Sequence, residues 1–204
     1  MGWTLEAARA SELIDQLVVS TDDPAVAAIA AKLGYAPPFM RPDHLSDATA
    51  SVIDAIEHAL GQIGGRWDYV VLLQPTSPLR TAADIDGAIR LCDESGAPAV
   101  IGVSPLPKPP AFYGRVDAEG RFKAGGADFE STVVVNGAIY VGRPDVLRRD
   151  RTFQSRGVRA YPMPFERGWD VDTAAEFAVC EALFRLKPTI CADASMRTVS
   201  NTAL

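Results

Sequence analysis

Short apolar runs that alternate with amphipathic helical stretches constrain the fold of this chain more than any other feature of its sequence. Residues 69–73 (YVVLL) and 99–103 (AVIGV) are apolar runs with the length of a buried strand. Between them, Thr81 and Asp84 form the capping-box pattern that opens a helix. This alternation is typical of βαβ units, so the sequence predicts an α/β fold with a mostly parallel sheet.

The same periodicity predicts the remaining elements of one domain over residues 1–204. We expect helices over residues 3–13, 24–33, 51–60, 81–94, 144–149 and 173–186, and strands over 16–20, 69–73, 99–103, 138–141 and 158–161. The strand at 69–73 should lie at the centre of the sheet. Residues 104–135 are rich in proline and glycine, with a hairpin signal at 117–120, and predict an inserted β-arm that contacts another subunit; residues 188–204 predict a flexible tail.

Charge and cysteine content limit the partners and metal sites that the chain is expected to have. The chain has 26 acidic and 20 basic residues and a formal charge of −6, without long like-charge blocks, which argues against nucleic-acid or membrane partners. Cys92, Cys180 and Cys191 are odd in number and far apart, so they predict neither a zinc site nor a disulfide framework. No apolar run has the roughly 18 residues needed to span a bilayer. We therefore expect a reduced, cytoplasmic protein whose partners are small molecules or other proteins.

A polar turn follows the predicted strand at 69–73. Residues 74–80 (QPTSPLR) place Gln74, Thr76 and Ser77 at the carboxyl end of a strand, where ligands bind in open α/β sheets. The alternative is a rigid turn that only caps the following helix, and spacing alone does not separate the two interpretations.

Two further strings carry polar groups beside predicted strands and helices. Asp170 and Asp172 would project to the same side of an extended segment, where two hard oxygen ligands could meet one Mg²⁺. Alternatively, Asp172 is the N-cap of the last helix and Asp170 is a solvated turn residue. Asn136 and Tyr140 offer polar tips around Gly137, whose lack of a side chain permits close backbone approach, although a buried, satisfied Asn would also fit.

The loop at residues 41–51 places one cation, Arg41, among polar residues, which suits a base or phosphate contact; an ordinary surface loop is the alternative. His44 and His58 differ in setting and are too far apart for one metal or a catalytic triad. The aromatic residues Phe165, Trp169 and Phe177 could line a pocket, but aromatics near a helix start are more often core.

Taken together and in this order, these strings resemble one family, the bacterial acylneuraminate (CMP-sialic-acid type) cytidylyltransferases, including the pseudaminate and legionaminate enzymes. The similarity runs from Trp3 to about Leu186. It rests on WTLEAA at Trp3, VVSTDDPAVAAIA at Val18, the loop at 41–51, VVLLQPTSPLRTAADID at Val70, NGAIYV at Asn136 and MPFERGWDVDT at Met163.

The resemblance implies a three-layer, Rossmann-like nucleotidyltransferase fold, a homodimer joined through the arm, and Mg²⁺-dependent transfer of CMP from CTP to a nine-carbon sugar acid, with release of pyrophosphate. Carried over by position, the family's site residues fall into three groups: nucleotide contacts at Arg41, Ala50 and Ser51; sugar contacts at Gln74, Thr76, Asn136, Tyr140 and Phe165; and the catalytic, magnesium-binding pair Asp170 and Asp172.

The chain also departs from the family pattern. The family opens with a strand and a basic, glycine-containing phosphate loop, whereas this similarity starts inside a helix at Trp3, so we expect an N-terminally shortened member. Val52 stands where the family has a hydroxyl residue. The family usually has an arginine shortly before the NGAIY strand that binds the sugar carboxylate, but residues 125–135 contain no cation, which leaves Lys108 and Arg115 as candidates. Two alternatives stay open: a non-catalytic remnant that binds a partner, and a nucleotidyltransferase for another sugar acid.

Overall fold

Two helical layers enclose a central four-stranded sheet. The structure is a computed structural model and describes residues 1–47, 49–109, 112–124 and 132–186. In chain order the elements are α1 (Gly2–Arg9), α2 (Pro24–Lys32), a 3-10 turn (Asp43–Leu45), α3 (Val52–Ile63), β1 (Val70–Leu72), α4 (Ala82–Ser95), β2 (Ala99–Pro105), β3 (Gly114–Val116), β4 (Phe122–Ala124), β5 (Val133–Gly142), α5 (Pro144–Asp150), β6 (Arg159–Pro162) and α6 (Ala174–Arg185). The predicted α/β class is confirmed.

The sheet has the order β1-β5-β2-β6. β2 and β6 pair in parallel, and β5 lies antiparallel between β1 and β2. Three of the four strands therefore run in one direction, as expected, and β5 is the exception. The carboxyl ends of β1, β2 and β6 lie at the same end of the sheet, and β5 begins there.

Alternation along the strands builds the three layers. In β2, Ala99 and Ile101 pack in a cluster with residues of α3 and α5, whereas Val100 packs in a second cluster with residues of α1 and α4. In β5, Tyr140 faces the first cluster and Val141 the second. This period-two pattern is that of a sheet covered on both faces, so the predicted three-layer arrangement is confirmed.

Local capping chemistry fixes several helix starts. The Asp23 carboxylate accepts the Ala25 amide at 2.7 Å, and Ser51 caps α3 through the Ile53 amide. Thr81 and Asp84 form the expected reciprocal capping box of α4. These short-range signals are the part of the fold that the sequence predicts most directly.

Three predictions about the N-terminal half are wrong. Helix α1 ends at Arg9 rather than 13. Residues 16–20 form no strand; Leu17 packs against the α4-side core, but no strand in the described ranges forms a ladder with this segment, and β-branched residues without a ladder partner do not make a strand. β1 lies at an edge of the sheet, half-buried, because β5 rather than β1 occupies the interior position.

The arm contains the predicted hairpin. β3 and β4 pair antiparallel around a turn in which Gly120 donates to the Asp117 carbonyl at 3.0 Å. The tail at 188–204 and Cys191 lie outside the described residues, while Cys92 and Cys180 are free, buried thiols. Within the described ranges, no helix has both the length and the apolar character needed to cross a bilayer.

Candidate active site

A buried arginine organises the turn that follows β1. Arg80 is 1% exposed and donates to the carbonyls of Gln74 and Ala138 and, at 2.8 Å, to the Thr4 hydroxyl. Burial lowers the pKa of Arg80 to about 10, partly offset by the negative charges of Asp170 and Asp84, so Arg80 stays charged at neutral pH. One side chain thus ties together the end of β1, the middle of β5 and helix α1.

The segment before α6 docks on this turn. The Val171 amide donates to the Thr76 carbonyl at 2.9 Å. The buried Ser77 hydroxyl lies 3.5 Å from both the Asn136 carbonyl oxygen and Asp170 Oδ1, at the outer limit for a hydrogen bond. Residues widely separated in sequence therefore converge at the carboxyl edge of the sheet, as the strand-end argument predicts.

Gly137 makes the closest approach in this cluster. Its φ of +72° lies in the left-handed region that favours glycine, and a Cβ at this position would collide with the Gln74 Oε1 atom and lie 3.5 Å from Asp170 Oδ2. The absence of a side chain at Gly137 thus lets the Gln74 amide and the Asp170 carboxylate lie beside the β5 backbone.

Asn136 is buried, and partners inside the protein occupy its amide. Its Nδ2 donates to Ser104 Oγ at 3.0 Å, and its Oδ1 accepts the Ala138 amide at 3.0 Å. Gly102 and Gly168 pack so closely against Asn136 that a Cβ on either would collide with its side chain. These contacts fix the start of β5; the predicted contact of Asn136 with a sugar stays a prediction.

A cavity of about 230 Å³ lies next to this cluster. Its walls include Ser51, Gln74, Tyr140, Arg151 and Phe153, so it unites residues predicted for the nucleotide and the sugar. The Tyr140 and Phe153 rings are 5.3 Å apart. Burial, with the negative charge of Asp170, raises the pKa of Tyr140, so its phenol stays protonated and can donate to a ligand.

The two predicted metal ligands differ in setting. Asp170 is half-buried and has no ion pair with any residue in the described ranges, while Asp172 is exposed just ahead of α6. Asp172 is not the N-cap, contrary to the alternative above: Thr173 caps α6 in a capping box with Glu176. Carboxylate oxygens of this kind suit Mg²⁺, which takes one or two protein carboxylates and keeps waters. The described residues contain no cluster of three or more metal-ligating side chains.

Seven of the ten predicted site residues do not line the cavity: Thr76, Asn136, Asp170 and Asp172, described above, and Arg41, Ala50 and Phe165. Arg41 forms an ion pair with Asp22 at 2.9 Å and donates to Ser46 Oγ at 2.9 Å. The Ala50 amide donates to the Asp47 carbonyl at 3.1 Å. The Phe165 ring packs edge-on against Trp169 at 5.4 Å. Their predicted contacts with nucleotide and sugar stay predictions.

Sequence reasoning missed three charged residues. It quoted Arg80 in a motif without a role, and it did not single out Arg151 or the pairing of Arg167 with buried Asp84 at 2.9 Å. The burial of Arg80 and the left-handed backbone of Arg151 leave no local pattern in the sequence, because both depend on tertiary contacts. The candidates Lys108 and Arg115 are exposed and do not line the cavity.

The sequence of this chain is similar to those of known proteins. Residues 1–121, more than half of the chain, match the family model described as Cytidylyltransferase. The chain belongs to the cytidylyltransferase family. The chain is 27% identical to the CMP-N,N'-diacetyllegionaminic acid synthase of Legionella pneumophila, over 90% of this chain and 84% of that relative. It is 30% identical to the N-acylneuraminate cytidylyltransferase of Escherichia coli, over 87% of this chain but only 44% of that longer relative.

Solved structures of other proteins share the fold of this chain. CMP-2-keto-3-deoxy-manno-octonic acid synthetase, solved in complex with CTP, superimposes with a TM-score of 0.65 at 17% identity, over 91% of this chain and 87% of that chain. The predicted Rossmann-like nucleotidyltransferase fold is therefore confirmed.

Proposed function

We propose that this cytidylyltransferase transfers CMP from CTP to the anomeric hydroxyl of a nine-carbon keto-sugar acid and releases pyrophosphate. The observation that carries this proposal is the convergence of Ser51, Gln74 and Tyr140 on one cavity beside Asp170. The similarity to enzymes named for legionaminic and acylneuraminic acids supports the same substrate class.

The chemistry requires positioning and charge stabilisation. The sugar hydroxyl oxygen attacks the α-phosphorus of CTP, the bond from that phosphorus to the pyrophosphate oxygen breaks, and the hydroxyl proton leaves to solvent. Such transfers depend mainly on alignment and on neutralising phosphate charge. Gln74 and protonated Tyr140 offer hydrogen bonds to the sugar, and their positions are fixed by the Arg80-anchored turn and by β5.

Magnesium is part of the proposal. Asp170 and Asp172 would hold it, and when bound it neutralises charge on the triphosphate. Asp170 suits this role because no ion pair within the described ranges occupies its carboxylate, whereas Arg167 engages both oxygens of Asp84.

A homodimer through the arm and a cytoplasmic location complete the proposal. Phe112, Val116 and Phe122 on the arm are each more than 60% exposed, a cost that a second copy of the chain would remove by covering them. Free thiols at Cys92 and Cys180 agree with a reducing compartment. Light scattering after size-exclusion chromatography should give twice the chain mass, and Phe122→Ser should shift the protein toward monomer.

The test of the activity is pyrophosphate release from CTP with N-acetylneuraminic, N,N'-diacetyllegionaminic, pseudaminic and 2-keto-3-deoxy-manno-octonic acids, with and without Mg²⁺. We expect release with a nine-carbon acid that falls at least about 100-fold in Asp170→Asn and Asp172→Asn, since removing a charge-stabilising group costs on this order. Asp145→Asn, an exposed carboxylate in the first turn of α5, is the matched control and should retain full activity. A folded chain that releases no pyrophosphate with any of these acids would overturn the proposal and favour a non-catalytic binding role.

A further inference from the structure

Two ion pairs of similar chemistry join the same pair of helices. Arg148 in α5 donates to Glu57 in α3 at 2.9 Å, and Arg151, at the end of α5, donates to Asp54 in the first turn of α3. All four side chains reach solvent, so neither pair contributes much to stability. The two arginines nevertheless differ in what else they touch.

Arg151 lines the cavity that also contains Gln74 and Tyr140, and Arg148 does not. Arg151 is also the single non-glycine residue with a positive φ, +56°, within the described ranges. Glycine is the residue favoured at a left-handed helix C-cap, so an arginine there is strained. Strained backbone positions concentrate at ligand sites, where they aim a side chain.

We propose that Arg151 binds the carboxylate of the acidic sugar and makes this cytidylyltransferase selective for acids; the assignment rests on the proposed function. Arg151 is the one charged residue among the described residues that line the cavity, and the other walls are neutral or apolar. The negative charge of Asp170, which helps to raise the pKa of Tyr140, would repel a sugar carboxylate in this cavity. The sugar carboxylate therefore requires a cation that offsets this repulsion and its own desolvation.

Asp54 positions the guanidinium for this task. Its carboxylate accepts from Nη2 of Arg151, and its neighbour Ile53 lines the cavity, so the tether keeps the guanidinium beside the α3 wall. A guanidinium has five N–H donors, so donors other than the one bonded to Asp54 remain for a carboxylate. The triphosphate of CTP offers similar anionic oxygens, and the test must therefore separate the two substrates.

Kinetics with each substrate varied in turn provide that separation. In Arg151→Gln, we expect the KM for N,N'-diacetyllegionaminic acid to rise about 10- to 100-fold, the loss expected for a charge-assisted hydrogen bond. The KM for CTP should change less than about threefold. Arg151→Lys should recover part of the loss, and Arg148→Gln, the matched control on the same helix pair, should leave both KM values unchanged. A rise confined to the KM for CTP would reassign Arg151 to the triphosphate and overturn the proposal.

Direct binding keeps the test independent of turnover. By ligand-observed NMR titration, the wild-type chain should bind N,N'-diacetyllegionaminic acid at least about tenfold more tightly than its methyl ester, and Arg151→Gln should bind both alike. If the acid is preferred through Arg151 but no pyrophosphate is released, the carboxylate site stands and the proposed activity fails. If pyrophosphate is released but Arg151→Gln matches the wild type, the activity stands and this assignment fails. A wild-type chain that neither binds the acid nor releases pyrophosphate overturns both.

Discussion

Two polar segments flank the candidate site, and they are held in place differently. The turn at 74–80 is anchored by its own last residue, buried Arg80, which donates to the Gln74 carbonyl. The turn also contains buried Ser77 and Leu79. The loop at 41–51 lies mostly at the surface and is held by the Arg41–Asp22 ion pair and by short-range hydrogen bonds such as Asp47 with Thr49.

The difference assigns the two segments different tasks. Removing the anchor of the turn leaves buried polar groups without partners, which costs folding free energy. Removing an anchor of the loop exposes the freed groups to water, which costs little. The turn is therefore held rigidly by the core, so that the proposed sugar contact of Gln74 would be preformed, while the loop can adjust to a ligand at little cost to the fold.

The largest expected effect is on the anchor of the turn. Arg80→Met removes the buried guanidinium that donates to the carbonyls of Gln74 and Ala138, and with it the cation near Asp84 and Asp170, so we expect a loss of about 3–5 kcal/mol in the free energy of unfolding. Urea denaturation measures it. The matched substitution in the loop, Arg41→Met, should move the midpoint far less; equal shifts would contradict the comparison.

A smaller effect is expected where the turn meets β5. Gly137→Ala adds a Cβ at a φ of +72° and displaces Gln74, whereas Gly96→Ala has a φ of +62° and open space around the new atom. Both should lose about 1–2 kcal/mol of stability from backbone strain. Only Gly137→Ala should also raise the KM for the sugar acid, as measured by pyrophosphate release. Parallel behaviour of the two variants in that assay would show that Gln74 does not touch the sugar.

The smallest effect is a pH dependence of the loop. The hydrogen bond from Arg41 holds the pKa of Asp22 below its ordinary value. The stabilisation is thus fully present above the ordinary carboxyl pKa of about 3.9 and is lost as pH falls through the lower, folded-state pKa. Melting temperatures of the wild type and Asp22→Asn should differ slightly at pH 7 and converge toward pH 3. Arg80, with a pKa of about 10, keeps its charge throughout this range.

Local signals predicted much of this molecule. The caps at Asp23 and Thr81, the buried strand β2 and the hairpin at 117–120 each depend on neighbours in sequence, and each is confirmed. The order of strands could not be predicted in this way, since the antiparallel insertion of β5 depends on contacts across the whole fold.

The residues of the candidate site also differ in whether a local sequence signal could identify them. Gln74 stood out because it follows an apolar run, Tyr140 because it offers a polar tip beside a buried strand, and Asp170 because two carboxylates flank one apolar residue before a helix. The structure brings the three together. Arg151 was missed because its contribution depends on a turn in the left-handed region and on a neighbouring helix. Propensity alone also misled: Val18 and Val19 favour a strand, but no ladder partner lies beside them in the described ranges.

Strand β5 has a consequence for handling the protein. Among the described strands, β1 pairs only with the last three residues of β5. The other end of β5, Val133 to Val135, pairs only with β2, and its three valines are exposed. An unpaired strand edge of β-branched residues is a template for intermolecular pairing, the first step toward aggregation. We expect concentrated or warmed samples to precipitate through this edge before the core unfolds, and Val134→Lys to delay the precipitation.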